Sequence, residues 1–98
     1  MVAATSVPRL PRGVRLRFDK ARDAWVLLAP ERVLLPDEAA VEILKRCDGE
    51  ATVEAIVADL CRAYDADRAE VAADVQAFLQ DLADKGMVTL AAPPPPRS

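Results

Sequence analysis

Ninety-eight residues, 52% hydrophobic and 30% charged, describe one packed domain rather than a disordered chain, near the lower size limit for folding without staples. The net charge is −3, there is no histidine, and the longest apolar run falls far short of the roughly 20 residues that a membrane-spanning helix needs. A transmembrane helix and a histidine acid or base are excluded, and two cysteines are too few for a disulfide scaffold.

Residues 1–13, "MVAATSVPRLPRG", carry two prolines, a glycine and little periodicity, and read as a flexible arm. They hold no apolar stretch of signal-peptide length, so a cytoplasmic address is expected. From Val14 the residues alternate, with Val14, Leu16 and Phe18 on one face and Arg15 and Arg17 on the other, which predicts a half-buried strand over 14–18. The polar "DKARD" turns the chain into a second strand over 24–29, "AWVLLA", and Pro30 ends it because it lacks a ladder N–H. "ERVLL" then predicts a short third strand over 31–35, stopped by Pro36.

At Asp37 the period becomes helical. Asp37 is a natural N-cap, Ala40, Ile43, Leu44 and Cys47 follow at helical spacing, and Gly49 lies past the end of a helix predicted over 38–48. Thr52 caps a second helix over 53–64, with Val53, Ile56, Val57, Leu60, Cys61 and Tyr64 on its apolar face. Asp67 and Glu70 have capping-box spacing at the start of a third helix over 68–85, whose buried stripe is Val71, Val75, Phe78, Leu79 and Leu82. "MVTL" closes the domain, 14–90, as a short terminal strand, and the Pro-rich residues 91–98 are expected to be a disordered tail. The fold class is thus α+β: a three-stranded antiparallel N-terminal sheet, three helices and a terminal strand, in a winged helix-turn-helix-like layout.

The chemistry-bearing residues point away from catalysis. The two serines lie in the terminal segments, the carboxylates fall on solvent faces, and the three glycines are too scattered for a phosphate loop. Cys47 and Cys61 sit on helical apolar faces and read as buried free thiols, and two cysteines do not make a structural zinc site. A winged-helix nucleic-acid-binding or transcription-regulatory protein is the alternative that the layout invites. The third helix opposes it, since Glu70, Asp74, Asp81 and Asp84 face only Arg68 and Lys85. Charge is unevenly spread, a net +4 over residues 1–30 against −7 over 31–98, which gives a partner a dipolar field to orient against.

A strand edge offers more. Alternation sends Val33 and Leu35 one way and Leu34 the other, beside Arg32. Leu34 and part of "WVLL" therefore need a second partner, be it the far side of the helices, a dimer mate or a peptide. Both a monomer with a free edge and a strand-exchanged homodimer fit the pattern.

The stretch "VPRLPRGVRLRFDKARDAWVLLAPERVLLPDEAAVEILKRCDGEATVEAIVADL" with the later "DVQAFLQDLADKGMV" resembles the PqqD family of pyrroloquinoline quinone (PQQ) biosynthesis, from about Val7 to Leu90. The most telling pieces are "WVLLAPER", the helix end "LKRCDG" followed by "TV", and "FLQDLADKG"; Pro36 departs from the family pattern, and the tail has no counterpart in it. The resemblance implies a non-catalytic peptide chaperone with no cofactor. It would bind the precursor peptide PqqA and deliver it to the radical SAM enzyme PqqE. It further implies that the peptide adds as a strand along the third strand, in a cleft with the third helix. Carried onto this chain, Arg32, Val33, Leu34 and Leu35 form one wall, and residues flanking the core stripe of the third helix, such as Gln76, Gln80, Ala83 and Asp84, the other; spacing leaves open which flank of that helix faces the groove. The enzyme contact is expected on the first hairpin, at Arg15, Arg17 and Trp25, with neither nucleic acid nor membrane as a partner.

Overall fold

The computed structural model describes residues 2–91. In chain order these form β1 (Val7–Arg9), β2 (Arg15–Asp19), β3 (Ala24–Ala29), β4 (Arg32–Leu34), α1 (Glu38–Lys45), α2 (Val53–Tyr64), α3 (Arg68–Asp84) and β5 (Thr89–Ala91). The disordered tail expected over 91–98 lies, from residue 92 onward, outside the described residues. No described helix is long and apolar enough to cross a membrane.

The mixed α+β class stands, but there are two sheets where one was expected. β2, β3 and β4 form an antiparallel sheet in that order. In the first hairpin Asp19 Oδ1 accepts the N–H groups of Ala21 and Arg22, at 3.0 and 3.4 Å, which holds the turn. Pro30 sits in the tight turn before β4, where its fixed φ is already that of the bend. Leu16, paired with Leu27, lies on the face turned to the helices, and Leu27 is only 1% exposed.

Each helix starts where a polar side chain satisfies an otherwise orphaned amide. Asp37 accepts from Ala40 N–H at 2.8 Å, Thr52 from Ala55 at 3.1 Å and Asp67 from Glu70 at 3.2 Å. The core is aliphatic throughout, with Ile56, Val53, Val75 and Leu79 sealed from solvent. Trp25 stays outside it, half-buried, edge-on to Phe18 at 5.7 Å and beneath the Lys45 ammonium at 4.7 Å. Cys47 is buried and Cys61 half-buried, both free. Burial, with the neighbouring Asp48 charge, pushes the Cys47 thiol up to about 12, so it is an inert core group.

Residues 2–13, expected to be a loose arm, are instead built into the fold. β1 pairs with β5 as a separate two-stranded sheet, and Val2, Val7 and Pro8 are buried. The N–H groups of Val53 and Glu54, the first two of α2, donate to the carbonyls of Ser6 and Ala4 at 2.8 and 2.9 Å. A helix start leaves such donors without intrahelical partners, and here the N-terminal segment supplies them. The return after α1 depends on Gly49 at φ +82°, which brings its N–H to the Pro8 carbonyl at 3.1 Å. A three-residue strand containing proline has too little alternation to be read, and its partner lies at the far end of the domain.

Arg46, the C-cap of α1, joins the first two helices. It donates to the Glu42 carbonyl at 2.8 Å, to Glu42 Oε1 at 3.0 Å, and to Asp59 of α2. The guanidinium holds the carboxyls of Glu42 and Asp59 below the usual carboxylate range.

Two outcomes follow from these contacts. Removing residues 1–8 exposes the amides of Val53 and Glu54 and unpairs β5, so urea unfolding is expected to show a loss of at least about 2 kcal/mol; an unchanged midpoint would contradict this packing. Lowered carboxylate pKa values stabilise the fold above the unfolded carboxylate range, and that contribution fades as pH falls through the lowered values. The Tm gap between the parent and Arg46→Met, which keeps the aliphatic stem, is therefore expected to narrow from about pH 6 to about pH 2 in thermal scans; a pH-independent gap would assign Arg46 a packing role alone.

Candidate functional site

β3 is the middle strand, so β2 and β4 are the edges of the larger sheet. Among the described residues β4 pairs with β3 alone, through Ala29↔Arg32, Leu28↔Val33 and Leu27↔Leu34. Its outer side carries backbone groups with no strand of the described residues beside them. The other edge, β2, is lined with Arg15 and Arg17, the kind of charge that discourages pairing.

The register assigns the apolar side chains of β4 differently from the reading by alternation. Leu34 lies opposite the core residue Leu27 and is half-buried against the helices. The side chain left over is Val33, 53% exposed on the outer face opposite Leu28, and Leu35, just past the strand, is 64% exposed. The cause is non-local: the pairing partner on β3 decides which face looks inward.

A cleft of about 450 Å³ opens at this edge. Leu34, Leu35 and Pro36 form one wall and Phe78, Asp81 and Lys85 of α3 the other, with the buried Leu27 and Leu82 beneath. The Lys85 ammonium lies 2.9 Å from Asp81, so the two rim charges neutralise each other. Such a site has an apolar floor, unpaired backbone hydrogen-bonding groups along one side and no nucleophile paired with a base. It is suited to holding an extended chain.

Of the two flanks of α3 left open by spacing, the cleft takes the one away from the four residues carried over by resemblance. Gln76, Gln80, Ala83 and Asp84 do not line this cleft. They lie on the opposite flank of the helix, where Gln80 accepts the Val2 N–H at 3.1 Å and donates to Asp84 at 2.9 Å. Positions 74, 78, 81 and 85 make one stripe at helical spacing, and that stripe faces β4. Phe78, the lone aromatic of α3, is the signal that pointed there; it reads as core, and in the structure it sits half-buried where core becomes cleft.

The three residues expected on the hairpin do not share a surface. Arg15 and Arg17, opposite Leu28 and Val26, lie on the outer face, whereas Trp25, opposite Phe18, lies on the helix-facing side beneath Lys45. Arg15 and Arg17 are exposed, beside Lys20 at the hairpin turn.

Comparison with known proteins gives this geometry a family. The family model described as coenzyme PQQ synthesis protein D (PqqD) matches residues 24–88. A PqqA binding protein of Rhodopseudomonas palustris (strain BisB5) is 59% identical over 88 residues, 90% of this chain and 86% of the relative. The bifunctional coenzyme PQQ synthesis protein C/D of Methylorubrum extorquens is 52% identical over 83 residues, 85% of this chain and 22% of that longer protein. Among solved structures, the solution NMR structure of the PqqD truncation of Methylobacterium extorquens PqqCD represents a functional, stand-alone recognition element for ribosomally synthesized and post-translationally modified peptides (RiPPs). It superposes with a TM-score of 0.79 at 48% identity, covering 91% of this chain and 95% of that one. The crystal structure of PqqD from Xanthomonas campestris gives 0.55 at 41% identity, covering 88% and 96%. With a family model matching two thirds of its length and relatives this similar over most of the rest, the chain belongs to the PqqD family of coenzyme PQQ synthesis proteins.

Proposed function

We propose that this chain is a non-catalytic peptide adaptor of PQQ synthesis that binds the precursor peptide PqqA and presents it to the radical SAM enzyme PqqE. The observation that carries the reading is the edge of β4, paired on one side only among the described residues and opening onto an apolar cleft walled by α3. PqqA adds to this edge as a strand through the backbone of Arg32, Val33 and Leu34, while its inward side chains fill the space between Leu35 and Phe78. Main-chain bonds supply affinity and the apolar pocket supplies register. Support for the peptide comes from relatives named PqqA binding proteins and from a similar structure that is a RiPP recognition element.

The same geometry disfavours a nucleic-acid role. The face that α3 turns to the cleft carries Asp74, unpaired among the described residues, and an Asp81–Lys85 pair, and so offers no net positive charge to a phosphate backbone. The basic charge lies across the molecule on the outer sheet face, where Arg15 and Arg17 flank the apolar Val26, Leu28 and Val33. In this reading that face, rather than Trp25, meets PqqE, and the peptide edge stays open to the enzyme.

Leu35→Asp alters the cleft wall at an exposed position, so the fold should survive, as circular dichroism would verify. Calorimetry with synthetic PqqA is expected to show binding weakened about tenfold or more, and hydrogen exchange to slow at Arg32–Leu34 when the parent binds peptide. Unchanged affinity together with unchanged exchange would rule out strand addition at β4. For the enzyme contact, Arg15→Glu with Arg17→Glu is expected to abolish co-purification with PqqE while leaving the PqqA isotherm intact; retained co-purification would move the contact elsewhere.

A further inference from the structure

A second cleft, of about 630 Å³, continues from the first. The two share Asp37, Ala39, Ile43 and Asp74, so they form one trough that runs from the end of β4 past the start of α1 to the loop before α3. Its apolar lining includes Ile43, Leu60, Val71 and Val75, contributed by all three helices, with the exposed Tyr64 at the end of α2. Its charged lining is of one sign: Asp37, Glu38, Glu42 and Asp74, with no lysine or arginine. Glu42 is already neutralised by Arg46 and Lys45. Among the described residues Asp37, Glu38 and Asp74 have no ion-pair partner, and all three are exposed.

We infer that the peptide added at β4 runs on into this second cleft, seating an apolar side chain on Ile43, Leu60 and Val75 and a lysine or arginine against Glu38 and Asp74. The inference rests on strand addition at β4 and extends it by naming a specificity subsite. Continuity decides the occupant, because β4 leads through Leu35 and Pro36 directly into Asp37, the rim of the second cleft. A strand laid along β4 therefore reaches the trough within a few residues of leaving the sheet. Charge decides its chemistry, because an acidic peptide would be repelled from this rim and a purely apolar one would leave the carboxylates unmatched. The rim thus selects for an apolar residue next to a basic one, outside the segment held by the strand.

Glu38→Gln with Asp74→Asn tests this and leaves Asp37, the α1 cap, untouched. The probes are synthetic PqqA and the same peptide with each lysine and arginine outside the strand segment replaced by glutamine. The expected result is binding of the parent peptide weakened roughly threefold to tenfold, with a shallower salt dependence. The glutamine peptide is expected to bind both proteins alike. In methyl NMR spectra of the unaltered protein, PqqA is expected to shift Leu60 and Val71 as well as Leu34 and Leu35. If Leu35→Asp abolishes binding but the double variant and the Leu60 and Val71 methyls show no change, the subsite is overturned and strand addition survives. If Leu35→Asp also leaves binding intact, both ideas fall together.

Discussion

The packing of one face of β2–β3–β4 onto the helices, centred on Leu27, is the contact on which the rest of the molecule depends. Leu27 is 1% exposed and stands between Leu16 and Leu34 on the neighbouring strands. Once it is buried, the side-chain period of two leaves no freedom along the three strands. Val14, Leu16 and Leu34 must face the helices; Arg15, Arg17, Leu28 and Val33 must face away. The same contact sets β4 beside α3 with one edge unpaired, so the cleft is a consequence of how the core closes. A small aliphatic core achieves this only because the N-terminal segment also caps α2 and pairs with β5, adding buried surface that the central elements lack.

Burial of that face also sorts the charges. Arg15 and Arg17 end on the outer sheet face, and Glu38, Glu42, Asp74 and Asp81 of α1 and α3 end around the trough on the other side. Within the helical layer Arg46 pairs with both Glu42 and Asp59 and so ties α1 to α2. The charges left unpaired at Glu38 and Asp74 line an opening. In the adaptor proposed above, this division would keep two partners apart: an apolar, acid-rimmed trough for the peptide and a basic, partly apolar sheet face for the enzyme.

Much of the fold is legible before any tertiary contact is considered. Asp37, Thr52 and Asp67 mark helix starts by their own side-chain chemistry, and each accepts the amide expected of a cap. The stripe of Val75, Leu79 and Leu82 predicts the buried face of α3, and Pro30 and Pro36 delimit the short edge strand. The cleft is only half legible. Leu34 and Leu35 line it whereas Arg32 and Val33 do not, and Gln76, Gln80, Ala83 and Asp84 lie on the far flank of α3. Spacing along α3 defines two flanks beside the core stripe and carries no information on which one faces β4.

What the sequence by itself determined is local: the order and type of the central elements, their caps, the buried stripe of each helix and the family that these motifs mark. Those features depend on residues within a few positions of one another, whose chemistry is complete without the rest of the chain. What only the tertiary structure decided is non-local: that β1 pairs with β5, that Leu34 rather than Val33 looks inward, and that Asp74, Phe78, Asp81 and Lys85 form the helix wall of the cleft. Each is a choice between arrangements with the same local pattern, and the burial of Leu27, Leu79 and their neighbours against distant elements selects one of them.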